Sequence, residues 1–356
     1  MFVPLLIALA CSPEIVTAVD VETSHTSNIF LDSSEEWELG LHARGEVGLD
    51  LAPYWSLGYA GELSLFSQHG DLDAHFHELY AFMNPAWGED LPTDLTVELS
   101  LATLKNQQAY SDLDYLRPAL VVELGIEPER WFRARIAADL SYRWFYGAGE
   151  TSALDAWTKA SVSVNLPSRT TLSVWTRLGA RWFVRADDTA IDDQDTQIEV
   201  ALHLGQGLWS RAGLQLDYVF RRAFGPSGLL LQSLTDEQVN NVGTEFLYSG
   251  HRAALGIKQM LSKSAFAQGF LRLESRDYEG WPAYDAAYAP IGDDRRDLRV
   301  SPGLRVALTR VPTADSSAAW PRFDIWAEYR FLAQSSNSSP FDTQAHITFA
   351  SMRLSW

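Results

Sequence analysis

The 356-residue chain has a single cysteine, Cys11, so it can form no internal disulfide and no cysteine-ligated zinc or iron–sulfur site. Lysine is nearly absent, with 4 Lys against 24 Arg, and acidic residues outnumber both together to leave a net charge of −18. That balance excludes nucleic acid as a natural partner, because phosphates need a basic surface. Long apolar runs are missing too. The longest, Phe2–Cys11, covers ten residues and is interrupted by Pro4, whereas a membrane-spanning helix needs about 20. No segment sustains a 3.6-residue period over three turns. A helical membrane protein is excluded.

The Phe2–Cys11 run reads as the hydrophobic region of an export signal. Small residues at Val16-Thr17-Ala18 put its expected end at residue 18, and Ala8-Leu9-Ala10 before Cys11 is a second option. Residues 19–356 then form a single domain.

What the chain has in abundance is aromatic residues, 13 Trp, 13 Tyr and 17 Phe, and a period of two. Trp37, Leu39, Leu41, Ala43, Val47, Leu49 and Leu51 share one face, opposite Glu38, His42, Arg44, Glu46 and Asp50. Phe132, Ala134, Ile136, Ala138, Leu140, Tyr142 and Trp144 oppose Arg133, Arg135, Asp139, Ser141 and Arg143. The pattern recurs near 95–103, 154–166, 172–182, 196–204, 212–220, 298–308 and 323–331. These runs exceed the five or six residues of an ordinary strand and match the roughly 9–11 that a tilted strand needs to cross a bilayer. Lipid forbids unpaired sheet edges, so such strands must close on themselves, apolar outward and polar inward. The expectation is an all-β protein, a closed antiparallel transmembrane β-barrel of 16 strands, within a range of 14–18, in the outer membrane of a Gram-negative bacterium.

The connections alternate in length, as periplasmic turns and external loops do. Short ones are expected at Ala52-Pro53, Glu127–Arg130, Leu166–Ser168 and Gly205–Gly207, with Tyr54, Trp55, Trp131 and Trp209 beside them as an interfacial girdle. Asn84–Pro92 and Val311–Pro321 are longer periplasmic connections, and residues 223–250 an external excursion. Ala350, Met352, Leu354 and Trp356 alternate to the last residue. Met352, Leu354 and Trp356 therefore resemble the terminal signal read by the barrel assembly machinery.

The expected inward faces carry both charge signs. The candidate lumen-lining residues are Arg133, Arg135, Arg143, Arg177, Arg181, Arg211, Arg299, Arg305, Arg322 and Arg330. With them stand Glu38, Glu46, Asp139, Asp155, Glu199, Asp217, Asp324 and Glu328. Arginine suits such ladders because its planar, permanent charge pairs with several acceptors. Crossed charges brace a wall and also line a path for hydrated solute or sugar polymer; a 16-stranded barrel leaves room for an aqueous channel. Trp175 and Trp326 could stack on sugar rings, though filling space is the simpler role. His75 and His77 share a strand face but lack a third ligand, so lumen or rim histidines are expected, not a metal site. Asp187, Asp188, Asp192, Asp193 and Asp195 could hold a divalent cation, with a solvated loop favoured. No catalytic arrangement and no cofactor site is expected.

Thr26-Ser27-Asn28-Ile29-Phe30-Leu31, after a short first strand, resembles the opening of porin-like outer-membrane proteins of the beta-barrel porin 2 type. The resemblance implies the barrel half of an exopolysaccharide secretion pore, working with a periplasmic polysaccharide-export protein. A general or solute-specific porin is the alternative reading, and a structural or receptor barrel without conduction a further one.

Overall fold

In a pleated strand alternate side chains point to opposite faces, and the two-residue period of this chain is spent on one sheet rolled into a closed ring. The computed structural model describes residues 14–28, 36–52, 54–87, 93–147, 152–183, 193–224, 248–310 and 322–355. Residues 1–13, the 225–247 centre of the expected excursion, the 311–321 connection and Trp356 lie outside them.

The chain opens with β1 (Glu14–Thr26), β2 (Glu38–Ala52), β3 (Trp55–Phe66) and β4 (Ala74–Met83). β5 is a two-residue piece, Ala86–Trp87, paired with β6 (Thr93–Asn106). β7 (Tyr115–Glu129), β8 (Phe132–Phe145), β9 (Ala153–Leu166) and β10 (Thr170–Phe183) follow. Next come β11 (Asp193–Trp209), β12 (Ala212–Phe224) and β13 (Ser249–Met260). The last four are β14 (Ala265–Tyr284), β15 (Pro290–Arg310), β16 (Arg322–Ser336) and β17 (Thr343–Ser355). Leaving β5 aside, 16 strands form the wall, each antiparallel to the next.

The ring closes where β17 pairs with β1, from Ala18↔Ser355 to Thr26↔Ile347. Above that seam the Asn28 side chain donates to Thr343 Oγ1 at 2.5 Å, and the Ser27 N–H donates to the His346 carbonyl at 3.0 Å. β1 also pairs with β2, from Glu14↔Asp50 to Thr26↔Glu38.

Large apolar side chains cover the outside: Leu79, Leu99, Ile136 and Leu178 are each more than half exposed. Trp131 and Trp209 are exposed near the short turns, Trp37 and Trp144 at the other strand ends, giving two aromatic girdles. A conventional apolar core is reduced to a small cluster, Leu332, Ala345 and Ile347 with Phe349 against it. Short turns among the described residues include those at 130–131, 167–169 and 210–211, and Tyr54 stands in the connection before β3. Gly205–Gly207 is therefore not a turn: it lies inside β11, where Gly205 pairs with Gln215 and Gly207 with Gly213. Glycine suits a close-packed strand as well as a turn, and the reversal falls at Ser210-Arg211. The longest strands, β14 and β15 at 20 and 21 residues, run beyond what a bilayer requires as an external hairpin.

The loop between β3 and β4 is clasped to the wall by a carboxylate. Glu38 accepts hydrogen bonds from the N–H groups of Ser67, Gln68 and His69 at 2.6, 3.1 and 3.0 Å, and from the Ser67 hydroxyl at 2.6 Å. His69 sets Nδ1 2.6 Å from Glu38 and Nε2 2.7 Å from Glu36. Those two carboxylates, Glu38 foremost, hold the pKa of His69 above the ordinary histidine value. A raised folded-state pKa contributes stability that is full below the unfolded value of about 6.5 and is lost as pH rises through the folded value. His69→Gln should therefore lower the heat-modification midpoint of the purified barrel at about pH 6, and the gap to wild type should shrink as pH is raised to about 9. A gap that widens with pH contradicts this clasp.

Candidate functional site

The candidate site is the inward face of the wall, set by register. In an antiparallel sheet, directly paired residues project to the same side, so the exposed leucines outside fix which residues point in. By this criterion Arg133, Arg135, Asp139 and Arg143 of β8 point inward, as do Asp155 of β9, Arg177 and Arg181 of β10 and Glu199 of β11. So do Asp217 of β12, Arg299 and Arg305 of β15, Arg322, Asp324, Glu328 and Arg330 of β16, and Glu38 and Glu46 of β2. Arg211 does not. It sits exposed in the β11–β12 turn, where its carbonyl accepts from the Met260 N–H at 2.7 Å.

Within the wall, arginines cross to carboxylates on neighbouring strands. Arg181 makes a two-point pair with Asp155, Nε–Oδ1 2.6 Å and Nη2–Oδ2 3.0 Å. Arg221 holds Glu199 at 2.5 Å, Arg305 holds Glu328 at 2.6 Å and Arg135 holds Glu123 at 2.8 Å, while Arg117 of β7 reaches over β6 to within 3.9 Å of Glu78 on β4. Charge buried in a low-dielectric wall is tolerated only when paired and hydrogen-bonded, and cross-strand pairing meets that demand.

The two ends of the barrel differ. Toward the external end the pairs are enclosed: Arg295 and Asp297 are 7% and 0% exposed, Arg181 and Asp155 5% and 8%. Near the periplasmic turns Arg133 and Glu127 are 50% and 38% exposed, Arg322 and Asp324 55% and 29%. Aromatic rings complete the external layer. Arg177 lies 3.5 Å above the Trp157 ring, and that ring occupies the space where a Cβ on Gly179 would sit. Tyr248 has Arg221 and Arg276 over its ring at 4.6 and 4.5 Å and donates to Glu274 at 3.0 Å. Arg295 packs on Phe341 at 3.3 Å.

Several of these groups escaped the sequence reading. Glu274, Arg276, Arg295, Asp297, Tyr248 and Trp157 were not among its candidates, although Glu274 and Arg276 keep the even-numbered phase of Phe266, Gln268 and Phe270. Trp175 and Trp326 do point inward, but each carries a cation over its ring, Lys159 at 5.3 Å and Arg305 at 4.9 Å. His75 and His77 are not lumen residues: they pair with Leu63 and Gly61 on the outward face, and His77 Nδ1 lies 2.7 Å from the Tyr59 hydroxyl. Asp193 and Asp195 are part of β11 rather than a loop, and Asp195 is buried directly opposite Arg181.

No family model and no curated protein sequence matches the chain. Among solved structures, it is similar to one described as a bacterial polysaccharide outer membrane secretin, with a TM-score of 0.51 and 10% identity over 96% of this chain and 97% of that one. Acinetobacter baumannii OccAB1 aligns at TM-score 0.50 and 8% identity over 96% of both chains. These likenesses are of fold. Together with the apolar outer band and its girdles, they define the class: an integral β-barrel of the bacterial outer membrane.

Removing one partner of an enclosed pair leaves the other charge stranded. Arg295→Leu should destabilise the barrel by roughly 3–5 kcal/mol, read as a lower denaturant midpoint in detergent. An unshifted midpoint would show that Asp297 does not depend on this pair.

Proposed function

We propose that the barrel is a channel and serves as the outer-membrane translocation pore of a polysaccharide-export system. The observation that carries the reading is the inward face itself. Polar and charged on every strand, it is solvent-exposed near the periplasmic turns and passes into an enclosed layer of arginine, carboxylate and aromatic rings near the external loops. Cross-pairing neutralises much of that charge, so a hydrated, hydroxyl-rich chain meets donors and acceptors without a strong net field of either sign. Whole-length likeness in fold to a structure described as a polysaccharide secretin supports the same choice.

The accompanying partners follow from the same reading. Met352 and Leu354, outward on β17, would form with Trp356 the signal taken up by the barrel assembly machinery. Connections 84–92 and 311–321, on the periplasmic side, would dock a polysaccharide-export protein.

In planar bilayers the purified protein should conduct ions, and deleting its gene should abolish surface polysaccharide while cytoplasmic precursor synthesis continues. Conduction with unaffected polysaccharide would make it a solute porin. Absence of both effects would leave a structural barrel.

A further inference from the structure

Ten inward arginines have a carboxylate within 4.0 Å: Arg117, Arg133, Arg135, Arg177, Arg181, Arg221, Arg276, Arg295, Arg305 and Arg322. Against that background Arg272 and Arg330 stand out: both are half-buried and neither has such a partner among the described residues, whereas Arg299, also half-buried without a carboxylate, donates its Nε to the Gln334 side-chain oxygen, and Arg143 packs over the Tyr115 ring and has further contacts. Arg44, Arg252 and Arg353 also lack one, but they are exposed and solvated. The two carboxylates nearest in sequence are committed elsewhere: Glu274 to Arg276 and Tyr248, Glu328 to Arg305.

The wall brings the two cations together. Arg272 of β14 is paired directly with Ser301 of β15, Phe270 with Gly303, and Gly303 with Arg330 of β16. The Phe270 ring fills the place of the missing Gly303 side chain, so it leans across β15, and Arg272 packs over it at 4.7 Å. Arg330 lies over Phe349 at 5.5 Å. Beside them the Ser301 hydroxyl, on a residue only 6% exposed, has no hydrogen-bond partner among the described residues, and neither has the buried Nε of Arg330. Two like charges flanking one strand, with an orphaned N–H and an orphaned hydroxyl between them, are costly unless something negative joins them. A guanidinium fork matches the two oxygens of a carboxylate.

We propose that Arg272, Arg330 and Ser301 form an oxyanion-binding station inside the barrel, and that it takes the carboxylates of an acidic sugar polymer. This deepens the channel reading by naming the charge class of the cargo. Being 7 to 9 residues from the periplasmic strand ends, the station lies about 20–30 Å along the strands, between the open half and the enclosed layer.

The test is block of single-channel current by oligogalacturonate, with neutral maltooligosaccharides of equal length as the comparison. Acidic oligomers should block wild type at roughly tenfold lower concentration, and Arg272→Gln or Arg330→Gln should each weaken that block about tenfold or more. Ser301→Ala should weaken it less, and Arg44→Gln should leave it unchanged. Free galacturonate blocking as well as the oligomer at equal carboxylate concentration supports the station and assigns it to small carboxylates. Equal block by acidic and neutral oligomers, or block that survives the double Arg272→Gln, Arg330→Gln variant, overturns it. A protein that conducts no ions refutes only the channel reading. Calorimetry of the detergent-solubilised barrel with oligogalacturonate then decides the station: heat lost in the double variant supports it, and no heat with wild type overturns it.

Discussion

Lipid offers no hydrogen bonds, and the whole molecule answers to that. Each N–H and C=O inside the hydrocarbon must find a partner within the sheet, so no strand can be left at an edge. The pairing of β17 with β1 removes the last two edges and makes the first and last strands neighbours. From closure follow the two faces of every strand: outward residues meet acyl chains and inward ones meet each other or water. The usual arrangement is inverted. Leucines and isoleucines are exposed, while the fully enclosed groups include Gln197, Glu38, Asn28 and Asp195.

That inversion moves the packing problem from apolar shape to charge. A wall of this kind encloses arginines by pairing them with carboxylates, across neighbouring strands as Arg181 does with Asp155 and Arg221 with Glu199, or two residues along the same strand as Arg295 does with Asp297. Enclosure is graded along the axis, so pairs that are tight near the external loops give way to exposed ones near the turns. The gradient runs from solvated pairs at one end of the polar face to enclosed ones at the other. Where pairing is interrupted, at Arg272 and Arg330, the wall holds unspent positive charge at the junction of the two regions.

Much of this was legible in the sequence because lipid makes the two faces chemically opposite. Phe132 to Phe145 shows it plainly: one phase is apolar, the other carries Arg133, Arg135, Asp139 and Arg143. The same logic placed nearly every candidate lumen residue on the inward face. It failed where the constraint relaxes. Beyond the bilayer the outward phase need not be apolar, so the extended ends of β14 and β15, with Arg276, Arg295 and Asp297, gave no alternation to read. Gly205 and Gly207 looked like a turn because glycine is as common in reversals as in strands that pack closely, and Arg211 was shifted into the wall with them. Partnership was out of reach altogether. That Arg305 meets Glu328 and Arg330 meets no carboxylate depends on register between strands, which a single strand's pattern does not contain.

The central claim is that one apolar wall separates lipid outside from a water-filled polar interior. It is tested most directly by reaction of single cysteines with a charged, membrane-impermeant thiol reagent. Ser173, Val174 and Trp175 are consecutive on β10, pointing inward, outward and inward. With Cys11 replaced and each position changed to cysteine in turn, the first and third should react in membranes and the middle one should not. Reaction at Val174→Cys alone, or equal reaction at all three, would contradict the account.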